Sequence, residues 1–203
     1  MPTTIEEFDT VRITEFAVKF KGEEKAQPFG CVGTIEGESE IVAIIKRCEG
    51  VEKKRKPKVS KMTITISAHV RLAAQRRIFG ISADGLKPGV YKYGADSIGD
   101  TFVLTAVGID EFEDEEKLIA FSNCSANTGL TLSIENGAEE VAEIELEFTA
   151  LVDDKRGIYY ETYLSELADE GKEEFITNWK TNFTPELVLA IPTETPEAPV
   201  ETP

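Results

Sequence analysis

Apolar and polar residues alternate over much of this chain, and the alternation predicts strands. Residues 11–20, 29–35, 40–48 and 62–70 are rich in β-branched and aromatic side chains. The run Met62-Thr-Ile-Thr-Ile-Ser-Ala-His-Val70 alternates most cleanly. Met62, Ile64, Ile66, Ala68 and Val70 fall on one face, with Thr63, Thr65, Ser67 and His69 on the other. One face of that strand is therefore core and the other polar. Further strand signals cover residues 101–107, 117–121 and 130–134. Asn136-Gly137 predicts a type I′ hairpin turn, because both residues accept positive φ, and it leads into a strand over 141–151. There Ile144, Leu146 and Phe148 face inward, so Glu143, Glu145 and Glu147 face outward. Asp153-Asp-Lys-Arg-Gly157 predicts a second hairpin turn, into a strand over 158–164.

Helical signals are confined to two stretches. Residues 71–79 are strong helix formers that stop at Gly80, and residues 173–182 set Phe175, Ile176 and Trp179 at helical spacing. The fold class is therefore mainly β, a sandwich or barrel with a short helix after the long strand pair and another near the C-terminus. Residues 185–203 hold five of the nine prolines and no basic residue. They read as an acidic tail or linker, which leaves 1–184 as the domain.

Charge changes the picture. Of 203 residues, 22 are Lys or Arg and 38 Asp or Glu, a net charge of −16. Eleven of the basic residues lie between Lys46 and Arg77, against only Glu49 and Glu52. That segment carries +9 and the other 171 residues carry −25. A chain of this kind repels phosphate over most of its surface but can attract copies of itself, basic element to acidic body. No apolar run approaches 18 residues and the first twenty hold no signal-peptide core, so no membrane contact is expected. Cys31, Cys48 and Cys124 cannot all pair, and we expect reduced thiols in a protein assembled in the cytosol.

Candidate chemistry is sparse. His69 is the single histidine, and no phosphate-binding loop, dinucleotide fingerprint or nucleophile elbow is present. The acidic run 110–116 lacks the glycine and ligand spacing of a calcium loop and reads as a solvated loop. We expect no catalytic residue, no metal centre and no cofactor, and hence no enzyme.

Several stretches taken in order carry a resemblance. They are the long strand 40–48, the polar loop 49–61, the strand 62–70 and a helix ending Arg76-Arg-Ile-Phe-Gly80. Asn123-Cys-Ser-Ala-Asn-Thr-Gly-Leu-Thr-Leu132 and Thr181-Asn-Phe-Thr-Pro185 add to it. Over residues 5–188 the chain resembles the major tail proteins of long-tailed bacteriophages. The resemblance implies hexameric rings whose subunits share one inner β-barrel, stacked into a tube that conducts the genome. It implies a loop reaching the adjacent ring, here Lys53, Lys54, Arg55, Lys56, Lys58 and Lys61. The polar strand faces, Thr63, Thr65 and Ser67 with Glu143, Glu145 and Glu147, would then line an electronegative bore. Partners would be further copies of the chain and other tail proteins such as the tape measure, tail terminator and distal tail components. Viral DNA would pass without specific binding, in a virion tail assembled in the host cytoplasm. The alternatives are a ligand- or carbohydrate-binding β-sandwich of a virion, or nucleic-acid binding through residues 53–77. Against the second, no aromatic residue interleaves the basic stretch before Phe79.

Overall fold

The computed structural model describes residues 5, 7–112, 114–132 and 143–190. The β-branched runs form β1 (Thr10–Phe20), β2 (Gln27–Pro28), β3 (Gly30–Cys48) and β4 (Val51–Val70), followed by helix α1 (Leu72–Ile78). Then come β5 (Phe102–Asp110), β6 (Glu116–Ala126), β7 (Ile144–Leu151), β8 (Tyr159–Tyr163) and helix α2 (Lys172–Asn182). The mainly-β expectation holds, as one antiparallel sheet in the order β2-β1-β5-β6-β7-β4-β3, with β8 added to β6. Strand β6 changes partner along its length: residues 117–121 pair with β8 and residues 124–126 with β7. Asn123 sits at the switch with φ +51°, where the β5 register also slips. Asparagine is among the few residues that take this conformation at low cost.

Two apolar clusters hold the sheet. In the larger, five phenylalanines meet edge to face: Phe16 on Phe29, Phe29 on Phe148, Phe148 on Phe102 and Phe102 on Phe20. Ile64, Ile66 and Ala68 of β4 complete it with Leu146 and Ala150 of β7, the apolar halves of the two alternating strands. The smaller cluster docks α2, setting Trp179 and Phe183 against Val107, Leu118 and Ala120. The Trp179 indole donates to the Ile119 carbonyl at 3.3 Å. Leu187 and Val188, in a short 3-10 turn after α2, also pack there. Helix α1 buries Ala74 and Ile78, while Arg77 lies over the Phe20 ring and pairs with Asp100 at 2.7 Å and with Glu23.

Four expectations are corrected. Residues 49–61 are not a loop: β3 turns at Glu49-Gly50 and returns as β4, with Cys48 paired to Val51. Both turn residues have positive φ, +53° and +78°, the signature of a two-residue type I′ hairpin. Lysine-rich sequence has low strand propensity, which hid the strand, but an exposed ribbon leaves those side chains in water. Residues 36–39 do not separate two strands either, since β3 runs unbroken from Gly30 to Cys48. Residues 130–132 are irregular rather than strand, while 133–134 and the Asn136-Gly137 turn lie outside the described residues. Strand β7 begins at Ile144, so Glu143 precedes it.

Candidate functional site

The pairing of β4 with β7 ends at Lys61–Leu151. Beyond that point β3 and β4 continue alone, as a two-stranded arm over residues 41–59. Register divides its side chains. One face carries Ile41 opposite Val59, Ala43 opposite Pro57 and Ile45 opposite Arg55. The other carries Val42 opposite Lys58, Ile44 opposite Lys56 and Lys46 opposite Lys54. Lys53 is the extra residue of a bulge between the Lys54 and Glu52 pairs. The apolar residues are exposed, Ile44 to 65% and Ile41 to 60%. Of the six predicted contact residues, Lys53, Lys54, Arg55, Lys56 and Lys58 lie on the arm. Among the described residues they have no ion pair. Lys61 differs, being anchored at the root by Glu40 at 3.2 Å. The arm is a surface with exposed apolar content on both faces and a lysine row on one.

The second feature is the polar face of the sheet at the root of the arm. Register sets three rows across β3, β4 and β7: Thr34–Ser67–Glu145, Glu36–Thr65–Glu147 and Glu38–Thr63–Thr149. Five of the six predicted polar-face residues thus share one face, and the carboxylate of Glu143 lies beside Gly33 of β3. The Asn127 amide donates to the Glu147 carboxylate. Glu36 and Glu38 belong to the same array but escaped the sequence reading. Their signal was the alternation Glu36-Gly-Glu38-Ser-Glu40, masked because glycine and serine replace the apolar half of the pattern.

Several other polar groups hold the fold. A cleft of about 500 Å³ is lined by Lys19, Phe102, Asn123, Asp153 and Pro185 among others. Of its two lysines, Lys19 and Lys21, Lys19 donates to the Asn182 side chain at 2.9 Å and to the Phe183 carbonyl at 2.5 Å. Burial pushes the Lys19 pKa down against the pull of Glu186. Asp153 in the same cleft is held by Tyr160 and two backbone amides. Cys124 is buried and its thiol pKa is pushed up by that burial, so it is a packed core residue. Cys31 and Cys48 are exposed, and His69 stands opposite Cys31. Among the described residues no three His, Cys, Asp or Glu side chains converge to hold a metal ion. Among those residues, too, no helix is long and apolar enough to cross a membrane.

The fold thus defines a mainly-β protein built on one antiparallel sheet, with a hairpin arm drawn out from it. No protein-family model matches the chain, and no curated protein matches it. Among solved structures it is similar to one described as the anti-feeding prophage cap, a tube terminating cap seen by cryo-electron microscopy. The TM-score is 0.44 and the identity 14%, over 79% of this chain and 93% of that one.

Proposed function

We propose that this chain is a structural subunit of a phage-type tail tube, acting through self-assembly rather than catalysis. The observation that carries the reading is the open edge of β3. Among the described residues no strand pairs with the outer side of this nineteen-residue strand, and its outer half carries exposed Ile and Val. A long edge carrying exposed Ile and Val is a template for pairing with a further strand. The opposite margin of the sheet is β1, which β2 covers only at Ala17 and Val18. Strands alternate in direction across the sheet, so β3 of one copy meets β1 of the next antiparallel. Repeated around a ring, that contact extends one sheet through every subunit, and hexameric rings stacked on one another make the tube.

In this reading the Thr63, Thr65, Ser67, Glu145 and Glu147 face, with Glu36, Glu38 and Glu143, lines the bore. A negative wall leaves DNA free to slide, because no phosphate is neutralised and no counterion released. Tape measure, tail terminator and distal tail components are the partners, and no cofactor is required. The test is the mass of the purified protein by light scattering. A mass near that of one chain at every concentration excludes the reading, and a discrete ring mass supports it.

A further inference from the structure

Two places on the surface hold like charges close together, with opposite signs. On the arm, Lys46 and Lys54 are a direct cross-strand pair, continued by Lys56 and Lys58 on the same face. Like charges directly opposite destabilise a ladder. The arm as a whole, residues 41–59, has seven basic residues against two acids. The turn between β5 and β6 is its counterpart: residues 110–116 contain six acids and no base. The Asp110 carboxylate accepts the amides of Asp114 and Glu115 at 3.1 and 3.4 Å, while the Glu115 carboxylate accepts the Ser165 amide at 3.0 Å. The hydrogen bond and repulsion from Asp110 raise the pKa of Asp114, an exposed group. In the middle of this turn Phe112 is 80% exposed.

The two features match beyond charge. The lysine face of the arm holds Val42 and Ile44 between its cations. The turn holds one aromatic ring between its anions. An apolar anchor ringed by complementary charge is the arrangement that stable interfaces favour. Among the described residues, no ion pair joins arm to turn within one chain. Placement also fits. Followed through the register, the β3–β4 arm and the β5–β6 turn leave the sheet at the same end. Thr10, at the start of the β1 margin, pairs with Asp110 at the root of the turn.

We infer that the arm of one copy docks on the 110–116 turn of the copy beside it, with Phe112 seated on Val42 and Ile44 and the lysine row facing Glu111 and Asp114. The inference rests on the tube reading and deepens it. It places the arm's contact within the ring, where the resemblance alone implied a contact between rings. The contact is head to tail, so each subunit offers one arm and receives one.

Charge reversal tests it. Lys54→Glu with Lys56→Glu and Lys58→Glu should turn the ring into single chains, a fall in mass of about sixfold. Glu111→Lys with Asp114→Lys should do the same, as should Phe112→Ser, with circular dichroism and melting unchanged in each. Mixing the lysine-reversed and acid-reversed proteins in equal amounts should restore rings, because alternating copies then place opposite charges at every contact. If the lysine-reversed protein keeps its rings and loses only stacking, the inference is overturned while the tube reading stands. If the mixture stays monomeric where the wild type forms rings, it is overturned likewise. A wild type that forms neither rings nor tubes overturns both.

Discussion

A single carboxylate closes the turn between β7 and β8. Asp153 accepts the amides of Lys155 and Gly157, both at 2.9 Å, through one oxygen, and the Tyr160 hydroxyl at 2.6 Å through the other. Burial disfavours its charge, yet hydrogen bonds from Tyr160, Ser122 and the two amides outweigh that and hold its pKa below the usual range. Replacing Asp153 by Ala should cost about 1–2 kcal/mol, the value of hydrogen bonds to a charged group plus a stranded donor. Because the folded pKa is lowered, the charge contributes its full stabilisation above about pH 4 and loses it as pH falls through the lowered value. The melting-temperature gap between wild type and Asp153→Asn should therefore narrow on acidification below pH 4. A gap that stays constant would show that the charge takes no part. Thiols give a second residue-scale check: a thiol reagent should label Cys31 and Cys48 in the native protein and reach Cys124 only on unfolding.

At the scale of elements, α2 depends on Trp179, which is 1% exposed and the chain's only tryptophan. Trp179→Ala should cost about 3–5 kcal/mol, the range for truncating a buried aromatic. Wild-type tryptophan emission should be blue-shifted and should move to the red together with the loss of strand signal by circular dichroism. A red shift that precedes strand loss would mean that α2 is not part of the cooperative unit. The helix was legible in the sequence because Phe175, Ile176 and Trp179 recur at helical spacing. So were β4 and β7, since strict alternation leaves one reading of which side is core. The arm was not, because its residues are chosen for an exterior: lysine is a poor strand former, and Glu-Gly is a weaker turn signal than Asn-Gly. Register, and with it the rows that set Glu36 beside Thr65 and Glu147, is a property of pairing between distant segments. No local pattern encodes it.

Across the whole molecule charge is unevenly distributed: a basic arm, an acidic rim and an acidic face on a chain of net charge −16. Exposed pairs are individually worth only about 0.2–1 kcal/mol, so assembly should weaken as salt rises and single arm substitutions should have small effects. If Glu36, Glu145 and Glu147 line the bore, replacing all three with Lys should leave assembly intact. The tubes should then retain DNA at low salt and release it as salt is raised. Co-sedimentation with duplex DNA would show this, and tubes that behave like wild type would place the face outside the bore. The measurement closest to the central claim is electron microscopy of the concentrated purified protein, read together with its mass in solution. A tail-tube subunit should give ring-shaped particles with a central opening, six subunits each, that stack into tubes. A single-chain mass at all concentrations, with featureless particles of one subunit, would contradict it.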